Sequence, residues 1–589
     1  MIERNNTRRY VYLLILSILL VLAGGLLAWW TQTAGGTITI RDVRFPGTND
    51  TEMSALLYIP AGVTSENKAP GILAVHGYIN SRETQGGFAI EFARRGYVVL
   101  ALDQTGHGYS DPPAFANGFG GPDGLTYLRS LDIVDTDNIG LEGHSMGGWT
   151  VLAAAITFPE DYRAMVLEGS STGAPFAADG TAEWPRNMAL VFSQWDEFSE
   201  LMWGVPTPPG MVETDKLKTL FGTTDTVQVG QLYGSIEDGT ARQLYMPRGT
   251  HPNDHISTEA IGNAIEWFQM TLEGGNGLAP SDQTWYWKEI GTGIAFVGAV
   301  LFIFPAGALL LQSDLFKDIR LPLPAGKGAV GIGWWIAVAL TLAIPALTFF
   351  WLQNRAGEWL PASPLFPQTH TTGIMVWALG NALITLVLFL IWHFMSNRAA
   401  GVTAESYGVS TNLRIIGKSL LLAVVVIIGV YLLLVISDLV FKTDFRFWVV
   451  ALKLMNALQF RIFLSYLIPF TIYFLIASMV INSQLRQIQA DGSPVSLTRA
   501  MLINAALMVG GILIMLLIQY AGLMSGNPLP LAEPLLTIIA IQFVPLLIII
   551  AFILTYFFRL TGHIYVGAFI CALFVTWYIV AGQAIQVAL

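Results

Sequence analysis

Thiol chemistry is nearly absent from this chain, whose 589 residues include a single cysteine, Cys571. An intrachain disulfide is thereby excluded, and a thiolate metal cluster has no second ligand. Charge is scarce as well. Charged residues make up 12% of the sequence and hydrophobic residues 53%, against roughly 25% charged in ordinary soluble domains. No H-E-x-x-H motif and no G-x-x-x-x-G-K-[ST] loop occurs, so neither a metal ion nor another cofactor is expected. The scarcity of charge is uneven. Between Gly36 and Asp282 lie 31 acidic and 13 basic residues, while the remainder is net basic. An acidic segment has no electrostatic means of gripping phosphates, which removes nucleic acid from the expected partners.

What is abundant is hydrophobic length. Residues 11–30 follow the basic start MIERNNTRRY and are about long enough to cross a bilayer core. The run ends in Trp29 and Trp30 without a small-x-small cleavage site, and reads as an uncleaved anchor. Eight more apolar runs fall near residues 291–311, 329–351, 373–393, 419–437, 463–481, 501–520, 535–556 and 564–585. The expected organisation is a cytoplasmic start and anchor over 1–35, an α/β domain over 36–277, a linker over 278–290, and a membrane domain of about eight helices over 291–589. Arg4, Arg8 and Arg9 precede the anchor. Alternate loops then carry Lys317, Arg320 and Lys327; Arg398, Arg414 and Lys418; Arg486 and Arg499; and Arg559. By the positive-inside rule this multi-pass protein of the cell membrane holds its acidic domain on the extracytoplasmic side. One basic loop, 441–461, dissents. Its spacing suits an amphipathic helix in the membrane interface, or equally a solvated or partly packed loop.

Within 36–277, β-rich runs (TITIRDVRF, ALLYIP, GILAVHG, YVVLALD, NIGLEG, AMVLEG, MALVFS, RQLYMP) alternate with helical stretches. That alternation predicts an open, mostly parallel sheet, with the first two runs as an antiparallel hairpin at one edge. Two G-x-S-x-G matches occur, centred on Ser145 and Ser171. A nucleophile on a strained turn needs a strand leading in and a helix leading out. Ser145 has both, in NIGLEG and GGWTVLAAAIT, whereas Ser171 runs into GAPFAADG, which breaks any helix. Ser145 is therefore the candidate nucleophile. A serine needs a base, and the base an orienting carboxylate, each at a strand end. Asp196 follows MALVFS, and His251 follows RQLYMP, with His255 as an alternative base four residues on. The N–H groups of Met146 and Tyr78 are the expected oxyanion donors. His76 and His107 read as turn residues, and the stretch between Asp196 and the last strand as either a small lid or a peripheral insertion.

Together the segments HGY (76–78), LDQTGHGYS (102–110), GHSMGG (143–148), WDE (195–197) and GTH (249–251) resemble the α/β-hydrolase superfamily. The LDQTGHGYS segment is similar to that family's D-x-x-G-x-G-x-S turn. In place of the glycine that many relatives carry two residues before the acid, this chain has Gln194. The resemblance covers under half the chain and implies an α/β-hydrolase fold with a serine nucleophile. The expected activity is hydrolysis of carboxylic esters, lipid or other acylated substrates included, through an acyl-enzyme. A peptidase of the same fold is the alternative enzyme. A transport or lipid-handling protein with a non-catalytic module is the alternative outside enzymes. The spans hold few polar groups, chiefly Asn381, Asn504, Gln519 and Gln542, which are expected to bond helix to helix.

Overall fold

The structure is a computed structural model that describes residues 2–325, 328–329, 331–398, 401–489 and 491–589; Lys327 lies outside them. Nine strands form one sheet: β1 (Ile38–Pro46), β2 (Glu52–Pro60), β3 (Ala69–Val75), β4 (Val98–Asp103), β5 (Val134–His144), β6 (Ala164–Glu168), β7 (Met188–Val191), β8 (Leu232–Tyr233) and β9 (Arg242–Tyr245). Their spatial order is β1-β2-β4-β3-β5-β6-β7-β9-β8. The six inner strands from β4 to β9 run parallel, while the β1–β2 hairpin and β8 pair antiparallel. The eight runs read as strands are β1 to β7 and β9. β8 was not among them, since two residues carry no alternation to read.

Helices cover both faces, which is why β3, β4, β6 and β7 are buried along their whole length. After α1 (Ile2–Gln32) these are α2 (Gly86–Arg94), α3 (Gly121–Ser130), α4 (Met146–Thr157), α5 (Ser199–Trp203), α6 (Asp215–Phe221) and α7 (Thr258–Thr271). Neighbouring strand residues serve opposite cores, as a period of two requires. Leu73 and Leu100 pack with Leu125 and Val151 of α3 and α4, whereas Ile72 and Val99 pack with Phe88 and Phe268 of α2 and α7.

Eight long helices follow: α8 (Tyr286–Leu310), α9 (Ile332–Trp359), α10 (Thr369–Trp392), α11 (Leu413–Phe441), α12 (Ala457–Asn482), α13 (Leu497–Met524), α14 (Pro534–Thr561) and α15 (Tyr565–Gly582). With α1 they make nine helices, among the described residues, that are long and apolar enough to cross a membrane. α15 is the most enclosed of them. α1 lies against α8 through Gly24, Gly291 and Gly298, where any side chain would meet the partner's backbone. The interior polar groups bond across helices: Asn381 donates to Thr348 Oγ1 at 3.0 Å, Asn504 to Thr555 Oγ1 at 2.8 Å, and Gln519 to Thr537 Oγ1 at 2.8 Å.

Several contacts tie the bundle to the α/β part, the linker and one loop among them. The linker is pinned by Glu91 of α2, whose Oε1 accepts from the Thr284 and Trp285 N–H groups at 2.6 and 3.0 Å. The dissenting basic loop forms no interfacial helix; of the alternatives it is the packed segment, not the solvated one. It makes a hairpin, β10 (Phe445–Phe447) with β11 (Val450–Leu452), wedged against the α/β part. Two of its cations, Arg446 and Lys453, have protein partners. Arg446 donates to Thr84 Oγ1 at 2.8 Å and pairs with Asp444, and Lys453 Nζ lies 3.1 Å from Glu83 Oε2. At the opposite ends of the long helices, Lys418 and Arg414 pair with Asp318 at 2.7 and 2.9 Å.

Candidate active site

Ser145 sits between the end of β5 and the first residue of α4, at φ 56° and ψ −121°. That conformation is strained for a side chain bearing a Cβ, and it persists because its surroundings over-determine it. The Ser145 N–H donates to the Glu168 carbonyl at 2.8 Å, and its own carbonyl accepts from Ser170 Oγ at 2.7 Å. The flanking glycines are obligatory: a Cβ on Gly147 would strike the Val75 carbonyl oxygen, and one on Gly143 the Gly147 carbonyl. Strand and helix thus cross at backbone contact, and the serine is lifted off the sheet. Ser171 is fully buried with its hydroxyl 3.6 Å from Met202 Sδ. It leads into no helix.

The acid and the base arrive together because β7 and β9 are parallel neighbours. Beyond the strands, Gln194 N–H donates to the Pro247 carbonyl and Trp195 N–H to Gly249, and Trp195 and Thr250 form one further parallel bridge. Asp196 and His251 are the next residues on each side. Asp196 Oδ2 lies 2.8 Å from His251 Nδ1, and its Oδ1 accepts the Phe198 N–H at 2.7 Å. No glycine is needed at Gln194, which is not left-handed. Burial pushes the His251 imidazole down to about 3 and the Asp196 carboxyl up, the Phe198 bond opposing the latter. The imidazole therefore rests neutral, the form able to accept a proton.

Ser145, His251, Met146 and Tyr78 all line one cavity of about 330 Å³. The N–H groups of Met146 and Tyr78 are engaged by no other group among the described residues. Neither Ser145 Oγ nor His251 Nε2 has a hydrogen-bond partner among the described residues, and both residues line the cavity; catalytic contacts of this kind tighten when substrate arrives. His255 also lines the cavity, but both its ring nitrogens lack partners and its ring, tilted by 54°, lies 4.1 Å from that of His144. The carboxylate contact, from Asp196, is to His251. His76 and His107 are turn residues, bonded to the Gly77 carbonyl at 2.7 Å and the Thr105 carbonyl at 2.9 Å. Of the stretch after Asp196, Phe198, Leu201 and Met202 reach the cavity, while Leu217 and Leu220 of α6 pack into the core.

Three features were beyond sequence reasoning. Glu197 accepts the His251 N–H at 2.7 Å and the hydroxyl of Tyr520, at the end of α13, at 2.8 Å. The hairpin puts Arg446, Trp448 and Lys453 into the cavity wall. α14 and α15 supply another wall, with Ile538, Ile539 and Ile579 among its residues. An aromatic at a span end reads as an interfacial anchor, so Tyr520 carried no signal of this contact.

Comparison with known proteins agrees with this geometry. The family model described as the alpha/beta hydrolase fold matches residues 70–201. An uncharacterised protein of Mycobacterium tuberculosis is 32% identical over 106 residues, 17% of this chain and 28% of that protein. The mitochondrial palmitoyl-protein thioesterase of Rattus norvegicus is 31% identical over 149 residues, 25% of this chain and 46% of the relative. The monoacylglycerol lipase of Mycolicibacterium smegmatis is 31% identical over 148 residues, 24% and 45% of the two chains. The matches thus span less than half the length of each relative. The sheet order, the strained serine turn and the family match together establish that residues around Ser145 belong to an α/β-hydrolase-fold domain, joined in this chain to a large region of long apolar helices.

Proposed function

We propose that this chain is a membrane-bound serine hydrolase that cleaves carboxylic esters, with its catalytic domain on the extracytoplasmic face. The observation that carries the reading is the 2.8 Å Asp196–His251 pair, whose histidine lines one cavity with a serine held at φ 56°. Neutral His251 takes the Ser145 proton as Oγ attacks the acyl carbon, and Asp196 holds the imidazolium that results. The Met146 and Tyr78 N–H groups face the developing oxyanion. His251 then returns the proton to the leaving alcohol, and water repeats the sequence to release the acid. Esters are preferred to amides because an alkoxide leaves with less assistance than an amine. The named activities of the thioesterase and lipase relatives, both acyl transfers to water, support the same choice. The placement of Lys317, Arg320, Arg398, Arg414, Lys418, Arg486, Arg499 and Arg559 in or beside alternate connections between the long helices supports the orientation.

A fluorophosphonate probe tests the chemistry on full-length protein in detergent. Wild type is expected to label and to hydrolyse p-nitrophenyl esters, and Ser145→Ala to do neither. A folded wild type that refuses the probe would favour a non-catalytic module. Preference for aminoacyl anilides over esters would make it a peptidase.

A further inference from the structure

We propose that α14 and α15 form an acyl-chain slot, which seats the hydrocarbon tail of a single-chain ester whose carbonyl rests at Ser145. This rests on Ser145 being the nucleophile. The cavity residues of α14 are Leu535, Ile538, Ile539 and Gln542, spaced three, four and seven apart, which is one stripe of one helix face. Those of α15 are Tyr578, Ile579, Gly582 and Gln583, again a single face. Two helices of the apolar region therefore turn their sides into the cavity that holds the serine. From Leu535 to Gln542 the stripe descends ~10 Å along the helix axis. Its deep end is closed where the Tyr578 hydroxyl donates to Gln542 Oε1 at 2.7 Å.

The mouth is tied to the catalytic turn. Gln586, just after α15, donates to the Tyr78 hydroxyl at 2.8 Å, and Ile585 exchanges backbone hydrogen bonds with Gly106 and Ala114 at 2.9 and 2.8 Å. The slot thus opens beside the oxyanion donor. Between mouth and floor the stripe is hydrocarbon, and Gly582 faces open space, with nothing within 4 Å of where its Cβ would stand. An apolar space of this shape gains nothing from water and is filled favourably by an alkyl chain. Another part of the same cavity is polar. There Asn80, Thr84, Glu289 and Arg446 are among the lining residues. This patch suits the hydroxyls of the alcohol portion. The substrate class is accordingly an amphiphile with one acyl tail and a polar alcohol, rather than a short soluble ester.

The test uses the full-length chain in lipid nanodiscs with p-nitrophenyl acetate, octanoate and dodecanoate. In wild type kcat/KM should rise with chain length. Gly582→Leu, whose side chain enters the open space without a clash at Cβ, should lower the dodecanoate-to-acetate ratio of kcat/KM by about tenfold or more. Ile538→Trp serves as the second variant, with the same expected direction. General damage to the fold would lower both esters and leave the ratio alone. An unchanged ratio in both variants, or no rise with chain length in wild type, overturns the slot. Should Ser145 refuse a fluorophosphonate, the hydrolase reading fails by itself. The slot is then tested by binding of a dansyl-labelled undecanoate, which wild type should retain and Gly582→Leu should weaken; equal binding by the two overturns it.

Discussion

At the scale of single residues, the site depends on where protons rest. Burial holds His251 neutral down to about 3, so its base form survives well below the ordinary imidazole value of 6.5. The acid limb of kcat/KM, which reports the free enzyme's base, should accordingly fall below pH 6.5; a limb at or above that value would contradict the geometry. Asp196→Asn removes the acceptor of the Nδ1 proton and should cost about 10³- to 10⁴-fold in kcat with the fold intact. Glu197 acts at one remove. Burial and the neighbouring Asp196 push its carboxyl up to about 8, and the Tyr520 hydroxyl and the His251 N–H both oppose that rise. Tyr520→Phe deletes one hydroxyl and leaves the His251 contact in place. Its expected effect is a kcat loss of about tenfold or less with KM little changed, the scale of one hydrogen bond. An unaltered kcat would mean that α13 does not help hold the histidine.

At the scale of elements, the hairpin β10–β11 shows what becomes of a basic segment that the charge rule leaves unexplained. Arg446 and Lys453 are 4% and 3% exposed and face Glu83 and Asp444. A buried network of this kind loses most when one member is removed, because the others stay desolvated without a partner. Arg446→Met should therefore destabilise the fold by about 3–5 kcal/mol, read as a fall in Tm in detergent. Lys317→Ala, which breaks the exposed pair with Asp314, should leave Tm unchanged. Equal effects of the two substitutions would show that the hairpin is not bound to the α/β part in solution.

For the whole molecule, the buried titratable groups set two opposing slopes. His76, His107, His144, His251 and His255 are all held neutral by burial, His107 down to about 4. Below 6.5 the unfolded chain binds protons that the folded chain refuses, so these groups remove stability as pH falls. The buried carboxyls act in the other direction. Burial raises Glu142 to about 7 and Glu197 to about 8, and raises Glu168 and Asp254 as well. Above the ordinary 4.5 the unfolded chain releases protons that the folded chain retains, so these groups remove stability as pH rises. Thermal unfolding in one detergent should give the highest Tm between about pH 4.5 and 6.5, with lower values at about pH 3.5 and pH 8.5. A Tm that climbs steadily to about pH 8.5 would show the carboxyls to be ionised in the folded state.

Local chemistry was legible in the amino-acid order because its causes are local. The G-x-S-x-G turn needs small residues where strand and helix touch, eight strand runs carry their own β-prone apolar composition, and nine apolar runs carry their own length. Asp196 and His251 were legible too, since each lies where a β-strand ends, and parallel neighbours end side by side. The destination of the 441–461 loop, the bond from Tyr520 to Glu197 and the α14–α15 wall were decided only by the tertiary structure. Those partners lie hundreds of positions apart, and neither hydropathy nor spacing records which end of one helix will face which loop of a sheet. Burial decided the resting protonation of His251 for the same reason: a side chain's solvent is set by the packed whole and not by its neighbours in the chain.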